Sequence, residues 1–105
     1  MPPIKLEWSP NAILGTQRAY RFLAGKDRDA AKAAADTIKK QAAILKQFPN
    51  AGRPAEDLEP EHRELLIPFG AMGYVLLYRF DEDRTTVTIL AIRHQKEVGF
   101  GSACI

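Results

Sequence analysis

Three β-rich runs at 63–67, 74–80 and 85–92 follow one another with turn material between them, Gly70-Ala71-Met72-Gly73 first and Asp81-Glu82-Asp83-Arg84 second. Connections this short can only join antiparallel neighbours, because a parallel crossover takes about a dozen residues or more. The second half of the chain is therefore expected to form a three-stranded meander. Val75-Leu76-Leu77 is apolar on both faces of the middle run, which predicts a central strand with other elements covering one side.

The first half must supply that cover. Ile4-Lys5-Leu6-Glu7-Trp8 alternates apolar and charged residues, the period of a first strand with one face on a core. Ser9-Pro10 then starts a helix: the hydroxyl accepts an orphan backbone N–H, and proline at the first helical position loses a donor that had no partner. Ile13, Gln17, Tyr20, Leu23 and Ala24 recur at helical spacing, so helix one is expected over 10–24, with Gly25 closing it in the left-handed conformation. After the link at 26–29, a second helix is expected over 30–48. Its stripe is Ala31, Ala34, Ala35, Ile38, Ala42, Leu45 and Phe48, small enough for close approach of helix one in an antiparallel hairpin. Pro49-Asn50-Ala51-Gly52-Arg53-Pro54 breaks the helix, and a loop runs on through the acidic stretch 56–61. The order is β-α-α-β-β-β, an α+β fold in which a helical hairpin packs on a small antiparallel sheet.

A chain of 105 residues with 46% hydrophobic content can enclose one core, so a single domain over 1–98 is expected, followed by a flexible tail at 99–105. Residues 1–54 carry ten Lys and Arg against four Asp and Glu, a balance of +6; residues 55–105 carry five against nine, a balance of −4. The basic half suits an acidic protein or a nucleic acid, although lysines on a solvated helix also serve solubility alone. Cys104 has no intrachain partner, and no apolar run is long enough to cross a membrane or act as a leader, so a reducing, cytoplasmic location is expected without membrane association.

Trp8-Ser9-Pro10, the run Phe48-Pro49-Asn50-Ala51-Gly52-Arg53-Pro54, Arg63-Glu64-Leu65, Gly73-Tyr74-Val75-Leu76-Leu77-Tyr78-Arg79 and Ile89-Leu90-Ala91-Ile92-Arg93-His94-Gln95-Lys96-Glu97 together resemble the ParE/RelE superfamily of bacterial toxins. The resemblance covers nearly the whole chain in the superfamily's order. It implies the toxin of a type II toxin–antitoxin pair, held by a cognate antitoxin protein in a hetero-oligomer. RelE-like members are ribosome-dependent mRNA endonucleases, whereas ParE-like members poison DNA gyrase. The Arg-His-Gln-Lys-Glu ending resembles the ParE-like chains, which implies a gyrase poison and no catalytic residue. The second reading is an endoribonuclease acting on ribosome-bound mRNA, and a third is a non-toxic plasmid-maintenance protein of the same fold.

Each reading selects residues. Metal-free RNA cleavage requires a base, an acid and fixed cations on the phosphate, for which the candidates are His94, Arg63, Arg79 and Arg93. Target binding by a gyrase poison is assigned to Arg93, His94 and Lys96. Antitoxin binding is assigned to Lys32, Lys39, Lys40, Lys46 and Arg53, where an acidic amphipathic segment would land. No metal and no cofactor is expected. The plainer readings stand beside these: His94 as a hydrogen-bonded structural residue, Trp8 as core, Tyr74 and Tyr78 as half-buried sheet residues, Arg53 as a loop tie, and Arg63 and Arg79 as partners of Glu64, Asp81 or Glu82.

Overall fold

A computed structural model describes residues 2–56, 58–70 and 72–96. Two helices lie on one face of a five-stranded mixed sheet, an α+β arrangement. Strand β1 is Lys5–Trp8, followed by α1 at Pro10–Ala24 and α2 at Arg28–Ile44. Strands β2 at Arg53–Pro54, β3 at His62–Phe69, β4 at Met72–Asp81 and β5 at Thr86–His94 complete the chain. Their order across the sheet is β1-β5-β4-β3-β2, so the expected central strand, β4, lies in the middle.

Helix α1 spans the expected residues because both boundaries are local. Ser9 Oγ accepts the Ala12 N–H at 3.0 Å, and Pro10 opens the first turn. The expected left-handed closure at Gly25 does not occur. Gly25 stays right-handed at φ −67°, and the last carbonyls are taken by a continuing turn in which the N–H groups of Lys26 and Asp27 both donate to Leu23. Asp27 then caps α2 through Oδ1, which accepts from Asp29 and Ala30 at 3.0 and 3.2 Å and starts that helix before residue 30. Its far end also differs from expectation. Beyond Ile44 the Leu45, Lys46 and Gln47 amides bond three residues back, tightening the final turn and leaving Phe48 60% exposed instead of on the buried stripe.

The main core lies between the hairpin and the sheet. Ala12, Ala34, Ile38, Ala42 and Leu45 meet Ile67, Tyr74, Leu76, Tyr78, Phe80, Val87, Ile89 and Ile92. Tyr74 and Tyr78, expected to be half-buried, are 5% and 0% exposed because both point into this layer. A smaller cluster of Ala55, Leu77 and Ala91 forms on the helix-free face.

Two details position the site. β1 pairs in parallel with β5 from Lys5↔Thr86 only as far as Trp8↔Ile89, and a bulge in the β4–β5 ladder leaves Leu90 as the extra residue between Leu77↔Ala91 and Tyr78↔Ile89. The Leu90 carbonyl is satisfied from α1, by Ser9 Oγ at 3.0 Å and Asn11 Nδ2 at 3.3 Å. Past the bulge the end of β5 therefore runs beside α1. Gly15 permits this contact, since a Cβ there would stand 3.0 Å from the Ile92 carbonyl oxygen and 3.2 Å from the Ile92 Cβ. The tail at 99–105, with Cys104, lies outside the described residues. Among the described residues, no helix is long and apolar enough to cross a membrane.

Candidate functional site

Helix α1 is flanked by two concave surfaces of different chemistry. On its α2 side is a groove of about 710 Å³ formed by Trp8, Ile13, Thr16, Gln17, Tyr20, Lys32, Ala35, Asp36 and Lys39. Its floor is largely apolar: Trp8 packs partly on the core, and Ile13 is 46% exposed. Lys32 and Lys39 stand on its rim. Lys40 and Lys46 are exposed elsewhere on α2 and its final turn. Arg53 is at the far edge of the sheet, where Nε lies 3.3 Å from Glu64 Oε1, so the structure does not gather these five residues on one surface.

On the β5 side of α1 is a cleft of about 480 Å³ that brings Arg93, His94 and Lys96 together with Arg18 and Lys26. Those two α1-side cations are absent from the sequence-based assignment. A signal existed, because Leu14, Arg18 and Phe22 repeat every four residues on a second face of the helix. Leu14 and Phe22 are exposed at 60% and 66%. Lys26 Nζ sits 4.6 Å above the Phe22 ring centroid, and Arg18 Nη2 reaches the Ile92 carbonyl at 3.5 Å.

His94 is built into the wall of this cleft. Its ring meets Tyr74 edge to face, with centroids 5.5 Å apart and an 88° interplanar angle. Nδ1 accepts the Lys96 backbone N–H at 3.1 Å, which favours Nε2 as the protonated nitrogen of the neutral ring. Burial raises the Tyr74 phenol above its ordinary pKa, keeping it neutral beside the imidazole.

The four residues of the nuclease assignment are divided. His94 pairs with Tyr74 and Arg63 with Tyr78, which puts both on the helix side but about 13 Å apart along the sheet. Arg93 pairs with Val75, and Arg79 with His62 and Thr88, on the opposite face. Arg63 is also committed locally. Its Nη1 donates to the Gly52 carbonyl at 2.8 Å, while the Gly52 N–H donates to Tyr78 Oη at 2.9 Å and Tyr78 O–H donates to the Pro49 carbonyl at 2.8 Å. This knot explains the Pro49–Pro54 motif, because a Cβ on Gly52 would fall 2.6 Å from the Glu64 carbonyl and 2.8 Å from the Tyr78 ring. Burial raises the Tyr78 pKa, opposed by the Gly52 N–H and the Arg63 charge.

Around Arg63 and Arg79 the surface also carries Glu61, Asp81, Glu82 and Asp83, so carboxylates outnumber guanidiniums there. Glu61 is held below the ordinary carboxyl range by a backbone hydrogen bond first, then by Glu59, with His62 and Arg79 adding smaller effects. Glu59, Glu61 and His62 bring potential ligand atoms within 4.8 Å of one another; Glu59 is exposed and the other two stand beside the Arg79 charge.

Residues 6–99 match the family described as the ParE toxin of the type II toxin–antitoxin system parDE. The chain belongs to the ParE toxin family. This ParE-family toxin is 37% identical over 92 residues to Toxin RelE3 of Caulobacter vibrioides, a match covering 88% of this chain and 95% of that protein. Among solved structures it is similar to the chromosomal ParDE system of P. aeruginosa, with a TM-score of 0.71 and 23% identity over 87% of this chain and 95% of that one. It is also similar to the Mycobacterium tuberculosis RelBE2 toxin–antitoxin complex, with a TM-score of 0.59 and 24% identity over 90% of this chain and 100% of that one. A free mutant of E. coli RelE gives a TM-score of 0.62 at 14% identity, over 90% and 86% of the two chains. At these identities the structural likeness concerns the fold. The ParE-family chain thus has two helices on a five-stranded sheet in common with both ParE- and RelE-named toxins.

Proposed function

We propose that this ParE-family toxin acts by poisoning DNA gyrase, that a cognate antitoxin neutralises it, and that it cleaves no RNA itself. The observation that carries this reading is the separation of Arg63 and Arg79 from His94: Arg63 lies about 13 Å further along the sheet on the same face, and Arg79 lies at that far end on the opposite face. Acid–base cleavage requires its base, acid and phosphate-holding cations within hydrogen-bond reach of one phosphodiester, and groups about 13 Å apart cannot share one. The gathering of Arg93, His94 and Lys96 in a single cleft supports a surface-recognition role for the β5 end. The apolar groove rimmed by Lys32 and Lys39 supports docking of an acidic amphipathic antitoxin segment.

A second reading, a RelE-like endoribonuclease acting on ribosome-bound mRNA, is favoured by the relative named Toxin RelE3 and would use His94 as its base. An ATP-dependent supercoiling assay separates the two. Purified gyrase is expected to lose supercoiling activity and accumulate cleaved DNA when this chain is added, with reversal by antitoxin. Undiminished supercoiling with a folded, growth-arresting chain would overturn the gyrase reading, and cleavage of ribosome-bound mRNA would establish the other.

A further inference from the structure

The groove between α1 and α2 carries a sign pattern that docking of an evenly acidic segment does not require. Lys32, Asp36 and Lys39 follow one another at four and three residues, so they share one stripe of α2, about 10 Å long at the helical rise per residue. Their order is cation, carboxylate, cation. All three are exposed, and among the described residues no ion pair ties Asp36 to either lysine, so its carboxylate is not engaged within the helix. The facing wall on α1, formed by Ile13, Thr16, Gln17 and Tyr20, repeats at the same spacing and carries no charge. Thr16 and Ala35 are the small residues of the two walls and leave room between them, while Ile13 and Trp8 supply apolar surface beside the charges.

We propose that Asp36 determines which antitoxin this groove admits: a helical segment that sets a cation between two carboxylates, at its own spacing of four and three residues. Both walls follow the i, i+3, i+4, i+7 repeat of a helix face, so an amphipathic helix lying along them meets the three charges in turn. Each of its carboxylates then faces a lysine, and its cation faces Asp36. An evenly acidic helix would instead press a carboxylate on Asp36 beside apolar surface, where water screens the repulsion less, and is rejected on that ground. The proposal rests on the reading of this groove as the antitoxin's seat and adds the charge order that the seat selects.

The test is fluorescence anisotropy of the full-length chain in about 0.15 M salt, which screens distant charges, with labelled helical peptides of one length. They share a leucine stripe and two glutamates and differ only in the residue between those glutamates: Arg, Gln or Glu. Affinity is expected to fall in that order, by about tenfold from Arg to Glu, against the attraction of the chain's basic half for the more acidic peptide. A fourth peptide keeps the composition of the first but carries its Arg on the outer face of the helix, and should bind several-fold more weakly than the first. Asp36→Asn should bring the first three affinities within about threefold of one another, and Asp36→Lys should invert their order. Glu82→Lys makes the same change in net charge as Asp36→Lys on an exposed residue of the β4–β5 turn and should leave the order intact. Tightest binding by the all-Glu peptide, equal binding of the fourth, or an order that survives Asp36→Lys would overturn the proposal and keep the groove as a seat for acidic segments. Ile13→Ser removes apolar wall and should weaken every peptide alike. Binding that ignores this change, absence of binding by any peptide, or self-association of the chain that displaces the peptides would remove the groove as the antitoxin's seat and the proposal with it.

Discussion

The two hollows beside α1 share one wall and differ in almost everything else. The α2-side groove is apolar, floored by Trp8, Ile13 and Tyr20, with Lys32 and Lys39 offset by Asp36. The β5-side cleft concentrates five basic residues around Tyr74 and Phe22. Burial of apolar area gives the first its capacity for a folded segment, whereas the second would meet a partner through polar and charged groups. A single 15-residue helix can thus serve two partners of different chemistry, because its exposed residues fall on separate stripes.

The strongest way to break the comparison is to move the shared wall. Gly15→Leu would place a side chain where a Cβ alone already stands 3.0 Å from the Ile92 carbonyl oxygen. Overpacking should cost about 1–3 kcal/mol in urea denaturation, after a helix-propensity gain of about 1 kcal/mol is offset. Growth arrest should weaken with it, since α1 must lift from β5. Unchanged stability would mean that the helix is not seated through Gly15.

Tyr78→Phe tests whether either hollow depends on the far end of the sheet. It removes a donor from the Pro49 carbonyl and leaves the Gly52 N–H without its acceptor, at an expected cost of about 1–3 kcal/mol near neutral pH. Antitoxin affinity should stay unchanged. The pH dependence has a definite sign. Burial raises the Tyr74 and Tyr78 phenols above 10.0, so their contribution is complete below that value and is lost as pH rises through the folded-state pKa values. The variant should therefore lose stability more gradually above pH 10 than the parent, as followed by alkaline denaturation.

These features differ in how far they could be read from the chain alone. Both ends of α1 are written locally, in Ser9-Pro10 and in the fading of its apolar repeat at Ala24, and the meander follows from turn lengths. The end of α2 was not legible, because helical periodicity continues through Leu45 and Phe48 while the tightened turn answers to packing of Leu45 in the core. Two-residue β2 carries no periodicity and exists only through its partner Glu64. The α1–β5 cleft depends on a parallel pairing across some 80 residues of sequence and on a bulge at Leu90, neither of which has a local signature. Yet the facing of Arg93 and His94 to opposite sides was legible in principle, since neighbours on a strand alternate.

Charge sharpens the comparison next. Lys39→Glu with Lys40→Glu should slow antitoxin association about tenfold at low salt, through loss of steering, and reduce its salt dependence. Growth arrest in the absence of antitoxin should change far less. An unaltered association rate would assign antitoxin docking to apolar contact alone.

The smallest effect on stability is expected at His94. Replacement by Ala removes one edge-to-face contact with Tyr74 and the acceptor of the Lys96 N–H, together about 1 kcal/mol by thermal denaturation, with no loss of fold. Its value lies in the companion variant His94→Gln, which keeps a polar side chain able to accept the Lys96 N–H but cannot exchange a proton near neutrality. If His94 serves a target-binding surface, Gln should retain much of the growth arrest that Ala loses. If His94 is a general base, Gln and Ala should fail equally, and the β5 end would then hold a catalyst instead of a grip.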